Sequence, residues 1–175
     1  FFSLIALIAL SWLLIPVALL LRFTGEREIF FSQTRVGIHG NKFNLFKFAT
    51  MLKDSPNIGS GTVTLKNDPR VLPIGRYLRK TKINELPQLL NILKGAMSFV
   101  GPRPQTQRCF DAFPAILQAK IVSGPPGLTG IGSIVFRGEE EIMHGATASV
   151  DFYNNIIAPY KGTLEEWFVS NKGLY

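Results

Sequence analysis

The chain opens on FFSLIALIALSWLLIPVALLL, 21 residues without a charge, ending at Arg22. As a helix this run is roughly 32 Å long, enough to cross a hydrocarbon core of about 30 Å. A core helix of a soluble protein rarely stays apolar through six turns. No small-x-small cleavage site follows the run, so it reads as a membrane segment rather than a signal peptide. Pro16 interrupts it. A proline inside a helix removes one hydrogen bond and crowds the carbonyl four residues earlier, so a kink is expected near Trp12 to Pro16, with Ser11 placed to bond a freed carbonyl. Such a helix can span, or turn and leave by the face it entered. Arg22 and Arg27 place its C-terminal end on the cytoplasmic side.

The 175 residues leave room for one further domain with its own core. Lys and Arg exceed Asp and Glu to give a net charge of +7, which favours anionic partners: nucleic acid, lipid headgroups or nucleotide and sugar phosphates. The 14 Phe are scattered rather than set as base-stacking platforms, so nucleic acid is not expected as a partner. The chain has one cysteine, Cys109, so it forms no internal disulfide; Cys109 reads as a small buried apolar residue. No G-x-x-x-x-G-K, H-E-x-x-H or paired C-x-x-C is present.

After Gly25 the pattern is that of a small α/β (α+β) domain with irregular loops. EIFFSQTRVG and KFNLFKFATM read as short strands joined by the turn HGN. TVTL is at most a short strand in a Gly- and Ser-rich loop, and PIGRYLRKT begins a helix. NELPQLLNILKG reads as one helix, with Asn84 as N-cap, Glu85 in the first turn, an apolar stripe of Leu86, Leu89, Leu90 and Leu93, and Gly95 as the stop. SFVGPRPQT breaks regular structure. DAFPAILQAKIV is a second amphipathic helix, a strand is expected near SIVFRG, and SVDFYNNIIAPY and TLEEWFVSNK are terminal helical pieces.

Arg70, Arg76, Arg79, Lys80 and Lys82 precede this helix, and Arg103 follows it in GPRP. Such a run is usually a solvated basic face. Here it brackets a helix N-terminus, whose free amides favour phosphate. The two prolines lock φ on either side of Arg103, which suits a guanidinium placed for bidentate phosphate contact. A lone carboxylate, Glu85, among these cations suits a divalent metal that bridges phosphates. Asn84 and Glu85 are equally well read as plain capping residues.

FFSQTRVGIHGNKFNLFKFATM, KNDPRVLPIGRYLRKTKINELPQLLNILKGAMSFVGPRP and PPGLTG together resemble the bacterial sugar transferase family, the monotopic polyprenol-phosphate phosphoglycosyl transferases. The resemblance runs from about Pro16 to Gly130, and more loosely through Arg137 and LEEWFVSN. It implies transfer of a sugar phosphate from a nucleotide diphosphate sugar to polyprenyl (undecaprenyl) phosphate, with Mg2+, releasing a nucleoside monophosphate. It implies a re-entrant membrane helix over residues 1–24, broken at Pro16. A catalytic domain over residues 25–175 would sit on the cytoplasmic face of the bacterial inner membrane, with further chain on both sides and oligomerisation left open. Arg79, Arg103 and Arg137 match positions that face phosphates, and Glu85 matches a magnesium ligand.

The sequence also departs from the family. Asn84 stands where the family carries an Asp thought to attack the β-phosphate, and a neutral amide oxygen is a poor nucleophile. Ala96 replaces an Asp, Ala49 an Arg, and Pro125 an Arg that often precedes PGLTG. A catalytically silent member that binds lipid phosphate or nucleotide sugar and partners an active enzyme is therefore the alternative. Substrate choice is expected to lie in residues 139–161.

Overall fold

The computed structural model describes residues 1–59, 64–142 and 150–171. The apolar run forms two helices, α1 (Phe2–Ala9) and α2 (Ser11–Phe23), bent by 64° at Leu10. Neither is long and apolar enough to cross a membrane alone. The corner expected at Pro16 therefore lies at Leu10, and Pro16 stays inside α2. The proline crowds the carbonyl of Trp12, and the break falls within one turn upstream of it. Ser11 sits at the corner and donates its hydroxyl to the Ile8 carbonyl at 2.7 Å.

The pair has two unlike faces. Val17 and Leu21 on α2 are buried with Phe48 and Leu78. Outward, Phe2, Ile8, Trp12, Ile15 and Phe23 are all more than half exposed. An apolar surface of that extent signals a membrane or a partner.

Strands β1 (Phe30–Val36) and β2 (Lys42–Phe48) form the expected antiparallel ribbon, with Phe31 opposite Lys47 and Arg35 opposite Phe43. The link between them turns through His39 and Gly40, both at positive φ. Helix α3 (Pro73–Lys80) follows as expected. Of TVTL, residues 62 and 63 lie outside the described residues; Thr64 and Leu65 are not in a strand.

NELPQLLNILKG is not one helix. A 3-10 turn over Ile83–Gln88 leads into α4 (Leu89–Leu93), and Gly95 ends it at φ 76°. The turn begins after Lys82, which takes the left-handed conformation, and Asn84 lies inside the turn without capping it. Pro87, which donates no hydrogen bond, suits the tighter winding. The amides here are also partly spent: the Glu85 N–H donates to the Lys82 carbonyl at 3.0 Å. Asn91 ties this segment to β2, accepting from the Phe46 N–H at 3.0 Å and donating to the Asn44 carbonyl at 2.7 Å.

Three further readings change. SFV, expected to be irregular, forms β3 (Ser98–Val100), parallel to β4 (Gly127–Thr129). DAFPAILQAKIV splits at Pro114 into α5 (Gln107–Asp111) and α6 (Ala115–Ile121). The strand expected near SIVFRG is a helix, α7 (Ile131–Val135). A three-residue apolar run carries no period of its own, and here the neighbouring GLT takes the strand position. The chain continues through α8 (Glu139–Ile142) and α9 (Val150–Phe152), a π-helical turn over Tyr153–Ile157, and α10 (Ala158–Ser170). The domain thus mixes helices with two small sheets. Its second core gathers Val36, Phe110, Phe113, Ile121, Phe136 and Tyr153.

Candidate active site

A cavity of about 220 Å3 opens where the two cores meet. Period-two alternation along β1 turns Phe31, Gln33 and Arg35 to the same side, and the register adds Lys47 from β2. Arg79 comes from the last turn of α3, and Lys82, Asn84 and Glu85 from the 3-10 turn. The GPRP loop brings Arg103, α7 and the residues after it bring Ser133 and Arg137, and the C-terminal helices bring Tyr153 and Lys161. The described walls carry seven cationic side chains (Arg35, Lys47, Arg79, Lys82, Arg103, Arg137, Lys161) against two carboxylates, Glu85 and Glu139. That excess invites a multiply charged anion.

The loop that delivers Arg103 is set by backbone pairing. The Gly101 N–H donates to the Thr129 carbonyl at 2.9 Å and the Gly127 N–H to the Pro102 carbonyl at 2.8 Å. The strands approach so closely that a Cβ on Gly101 would stand 2.7 Å from the Pro125 carbonyl oxygen. Arg103 then donates to Glu85 Oε1 at 3.0 Å and to Ser133 Oγ at 3.4 Å, while the Lys47 ammonium lies 3.7 Å from the same Glu85 oxygen. Burial alone pushes the Glu85 carboxyl up. Arg103, Lys47 and Lys82 outweigh it and hold the group well below the usual carboxylate range, so Glu85 is an anion at any physiological pH. Lys47 moves the other way: burial, with Arg103, Arg35 and Arg79 nearby, lowers it to about 7 against the pull of Glu85.

Asn84 is 5% exposed, and its Oδ1 has no hydrogen-bond partner among the described residues. A buried acceptor left unmatched is costly in a capping residue and expected of one that awaits a ligand. Arg35 donates to the Gln33 side chain at 2.6 Å and to the Pro104 carbonyl at 3.2 Å, so it braces the loop from below. Lys161 is 3% exposed, 2.8 Å from Glu139 Oε2, with Phe136 and Tyr153 rings 5.3 and 5.6 Å from its nitrogen.

The structure thus gathers all five sequence-predicted residues, Arg79, Asn84, Glu85, Arg103 and Arg137, around one cavity. Arg76 and Lys80 are exposed and do not line it, and Arg70 is engaged in a buried pair with Asp68. Cys109 is buried as expected, and it lies at the cavity wall with Tyr153. Sequence reading missed Arg35 and Lys47; Glu139 and Lys161 bound the stretch expected to set substrate choice, and both line the cavity, while residues 143–149 of that stretch lie outside the described residues. For Arg35 and Lys47 a signal existed, since both are charged residues on the inner phase of alternating strands.

The magnesium ion the family implies can be tested against this donor set. Among the described residues no three His, Cys, Asp or Glu side chains come together. What is present is one carboxylate, Glu85, beside the unmatched Asn84 Oδ1. That fits a magnesium ion held by a single carboxylate, with substrate phosphates and water completing the shell.

An apolar, outward-facing helix pair thus packs against a domain whose cavity is lined with cations, a surface suited to lipid or a partner beside a site suited to anions. The profile of the bacterial sugar transferase family matches residues 1–158, and the chain belongs to that family. It is 44% identical over 102 residues to the undecaprenyl-phosphate glucose phosphotransferase of Komagataeibacter xylinus, covering 58% of this chain and 19% of that protein. It is 34% identical over 163 residues to the exopolysaccharide production protein ExoY of Sinorhizobium fredii, covering 85% of this chain and 71% of that one. It is also 34% identical over 149 residues to the UDP-glucose:undecaprenyl-phosphate glucose-1-phosphate transferase of Escherichia coli, covering 83% and 32%. The chain therefore spans from about a fifth to about seven tenths of these relatives.

Proposed function

We propose that the chain transfers a sugar phosphate from a nucleotide diphosphate sugar to polyprenyl phosphate, the first membrane step of a surface glycan pathway. The observation that carries this reading is the cavity, with seven cations against the two carboxylates Glu85 and Glu139, directly behind the apolar helix pair. The names of the relatives, with UDP-glucose and undecaprenyl phosphate in them, support the same substrate classes. The outward face of α1 and α2 lies in the cytoplasmic leaflet as a re-entrant pair, and the bilayer delivers the lipid phosphate to the cavity. The bend of 64° and the packing of Leu21 against Leu78 and Phe48 support entry and exit on one side.

Arg79, Arg103 and Arg137 bind the donor diphosphate. Glu85 and Asn84 would hold magnesium, which when bound offsets phosphate charge. An oxygen of polyprenyl phosphate attacks the β-phosphorus, the bond to the bridging oxygen breaks, and the nucleoside monophosphate leaves. We favour this direct transfer over a covalent route. Asn84 carries no nucleophilic oxygen, and Glu85 is tied down by Arg103 and Lys47. The buried, unmatched Asn84 amide favours one other reading, a silent member that binds these ligands and partners an active enzyme.

Radiolabelled transfer into extracted polyprenyl phosphate, with chromatography of the spent nucleotide, tests the reading. Monophosphate is expected, and chelation abolishes turnover. Recovery of the diphosphate refutes the reaction class, and nucleotide-sugar binding without transfer supports the silent member. With donor alone, intact mass shows no adduct on the native chain, whereas Asn84→Asp gives one at position 84. An adduct at Glu85 would refute direct transfer.

A further inference from the structure

Glu165 belongs to α10, 62 residues from Arg103, and it is 1% exposed. Its Oε1 accepts from the Arg103 backbone N–H at 3.1 Å. Pro102 and Pro104 have no N–H, so this is the one donor the Pro-Arg-Pro backbone possesses. With both proline φ angles locked and Arg103 restricted by the proline after it, the remaining freedom of the loop is the direction of that N–H. The same Oε1 rests on Gly132, where an added Cβ would collide with it. Gly132 precedes Ser133, the hydroxyl that receives the Arg103 guanidinium.

One carboxylate thus touches both the loop that carries Arg103 and the helix that receives it. A plain stability role does not account for it. Its Oε2 is buried with no partner among the described residues, and burial raises the carboxyl above its ordinary range despite the Arg103 N–H and Lys161. An apolar side chain would fill the space at lower cost.

We propose that Glu165 is the positioning residue for Arg103, its carboxylate holding the Pro-Arg-Pro loop and α7 in the register that aims the guanidinium at Glu85 and into the cavity. The consequence for turnover rests on the reading of Arg103 as a phosphate-binding residue; the positioning itself does not.

The test has a ligand-free arm and a kinetic arm, both on the full chain in lipid nanodiscs. Amide hydrogen exchange at Arg103, followed by NMR, quickens at least about tenfold in Glu165→Ala and stays within about threefold of native in Glu165→Gln, which keeps the acceptor. Should Glu165→Ala fail to fold, Gly132→Ala replaces it, because its methyl displaces the same oxygen. In the kinetic arm Glu165→Ala lowers kcat/KM on the order of 100-fold, the scale of a misplaced binding group. In an Arg103→Ala background it costs nothing more, since the two act as a unit. Unchanged Arg103 exchange in Glu165→Ala or Gly132→Ala overturns the proposal, as do fully additive losses. A native chain that transfers no sugar phosphate overturns the function proposed above, while the exchange arm still decides the role of Glu165.

Discussion

Two arginine–carboxylate pairs sit within one small domain and do different work. Asp68 and Arg70 are 5% and 4% exposed, and their charges are consumed locally. Arg70 gives its Nη2 to Asp68 at 2.5 Å, its Nε to the other carboxylate oxygen at 2.9 Å, and its Nη1 to the Ser55 and Ile58 carbonyls at 2.8 and 2.7 Å. Glu85 and Arg103 share one hydrogen bond at 3.0 Å, at the wall of a cavity with five more cations besides Lys47. The first pair is closed, with each charge matched, and it staples a loop. The second is open, because one carboxylate cannot neutralise its neighbours, and the surplus faces the space where a ligand enters. Residue type does not separate them; the balance of charge around each does.

The comparison breaks if both pairs respond alike to mutation. The largest effect is expected at the closed pair. Arg70→Ala leaves a buried carboxylate uncompensated and lowers folding stability by about 3–5 kcal/mol, enough to unfold a marginal domain, read by thermal unfolding. Arg103→Ala at the open pair lowers kcat/KM by about 10²–10³, the scale of a lost transition-state donor, with little change in unfolding temperature. A reversed pattern, with Arg70 governing turnover and Arg103 governing stability, would sink the distinction.

Much of the open site is legible in the sequence because its parts are local. Glu85 lies beside Asn84 in a Pro- and Leu-rich turn, and Arg103 between two prolines, so composition over a few residues already singles them out. Lys47 and Arg35 required the strand register as well as the alternation, and Glu165 required tertiary packing, which leaves no local trace. The capping role read for Asn84 fails for the same reason. Its environment is set by Lys82 at positive φ and by Pro87 tightening the turn, and both override the preference of Asn for a helix start. Pro16 announced a corner correctly in kind, though the break falls at Leu10, upstream of the carbonyl the proline crowds, and α2 beyond it docks against Leu78 and Phe48.

That docking gives the comparison its next test, between the inner and outer faces of the helix pair. Leu21→Ala, at 2% exposure, removes a core side chain shared with Phe48 and Leu78 and costs about 2–5 kcal/mol. Trp12→Ala, at 73% exposure, leaves unfolding temperature within error and instead weakens partition into anionic vesicles. Equal loss of stability at both positions would mean that the outer face is covered by protein rather than lipid.

The smallest effect is one of pH, and it tests the charge surplus directly. Lys47 falls from an ordinary 10.5 to about 7, chiefly through burial and then through the Arg103, Arg35 and Arg79 guanidinium groups, against the pull of Glu85. Between pH 7 and 10.5 the unfolded chain holds a proton that the folded chain has released, so this group makes stability rise with pH across that window. Glu85 acts at the other end. Its pKa is held below 4.5, so its contribution is present above that value and is lost as pH falls through the acid range. A bound diphosphate reverses the case for Lys47, because two anions beside it favour the charged ammonium. Binding at pH 8 is therefore expected to take up a proton, and binding at pH 6, where Lys47 is already charged, is not. Calorimetry in buffers of different ionisation enthalpy measures this directly, and Lys47→Met removes the uptake at pH 8. If native binding takes up no proton at pH 8, the cavity is not anion-hungry in the free state, and the open pair is as closed as Asp68 and Arg70.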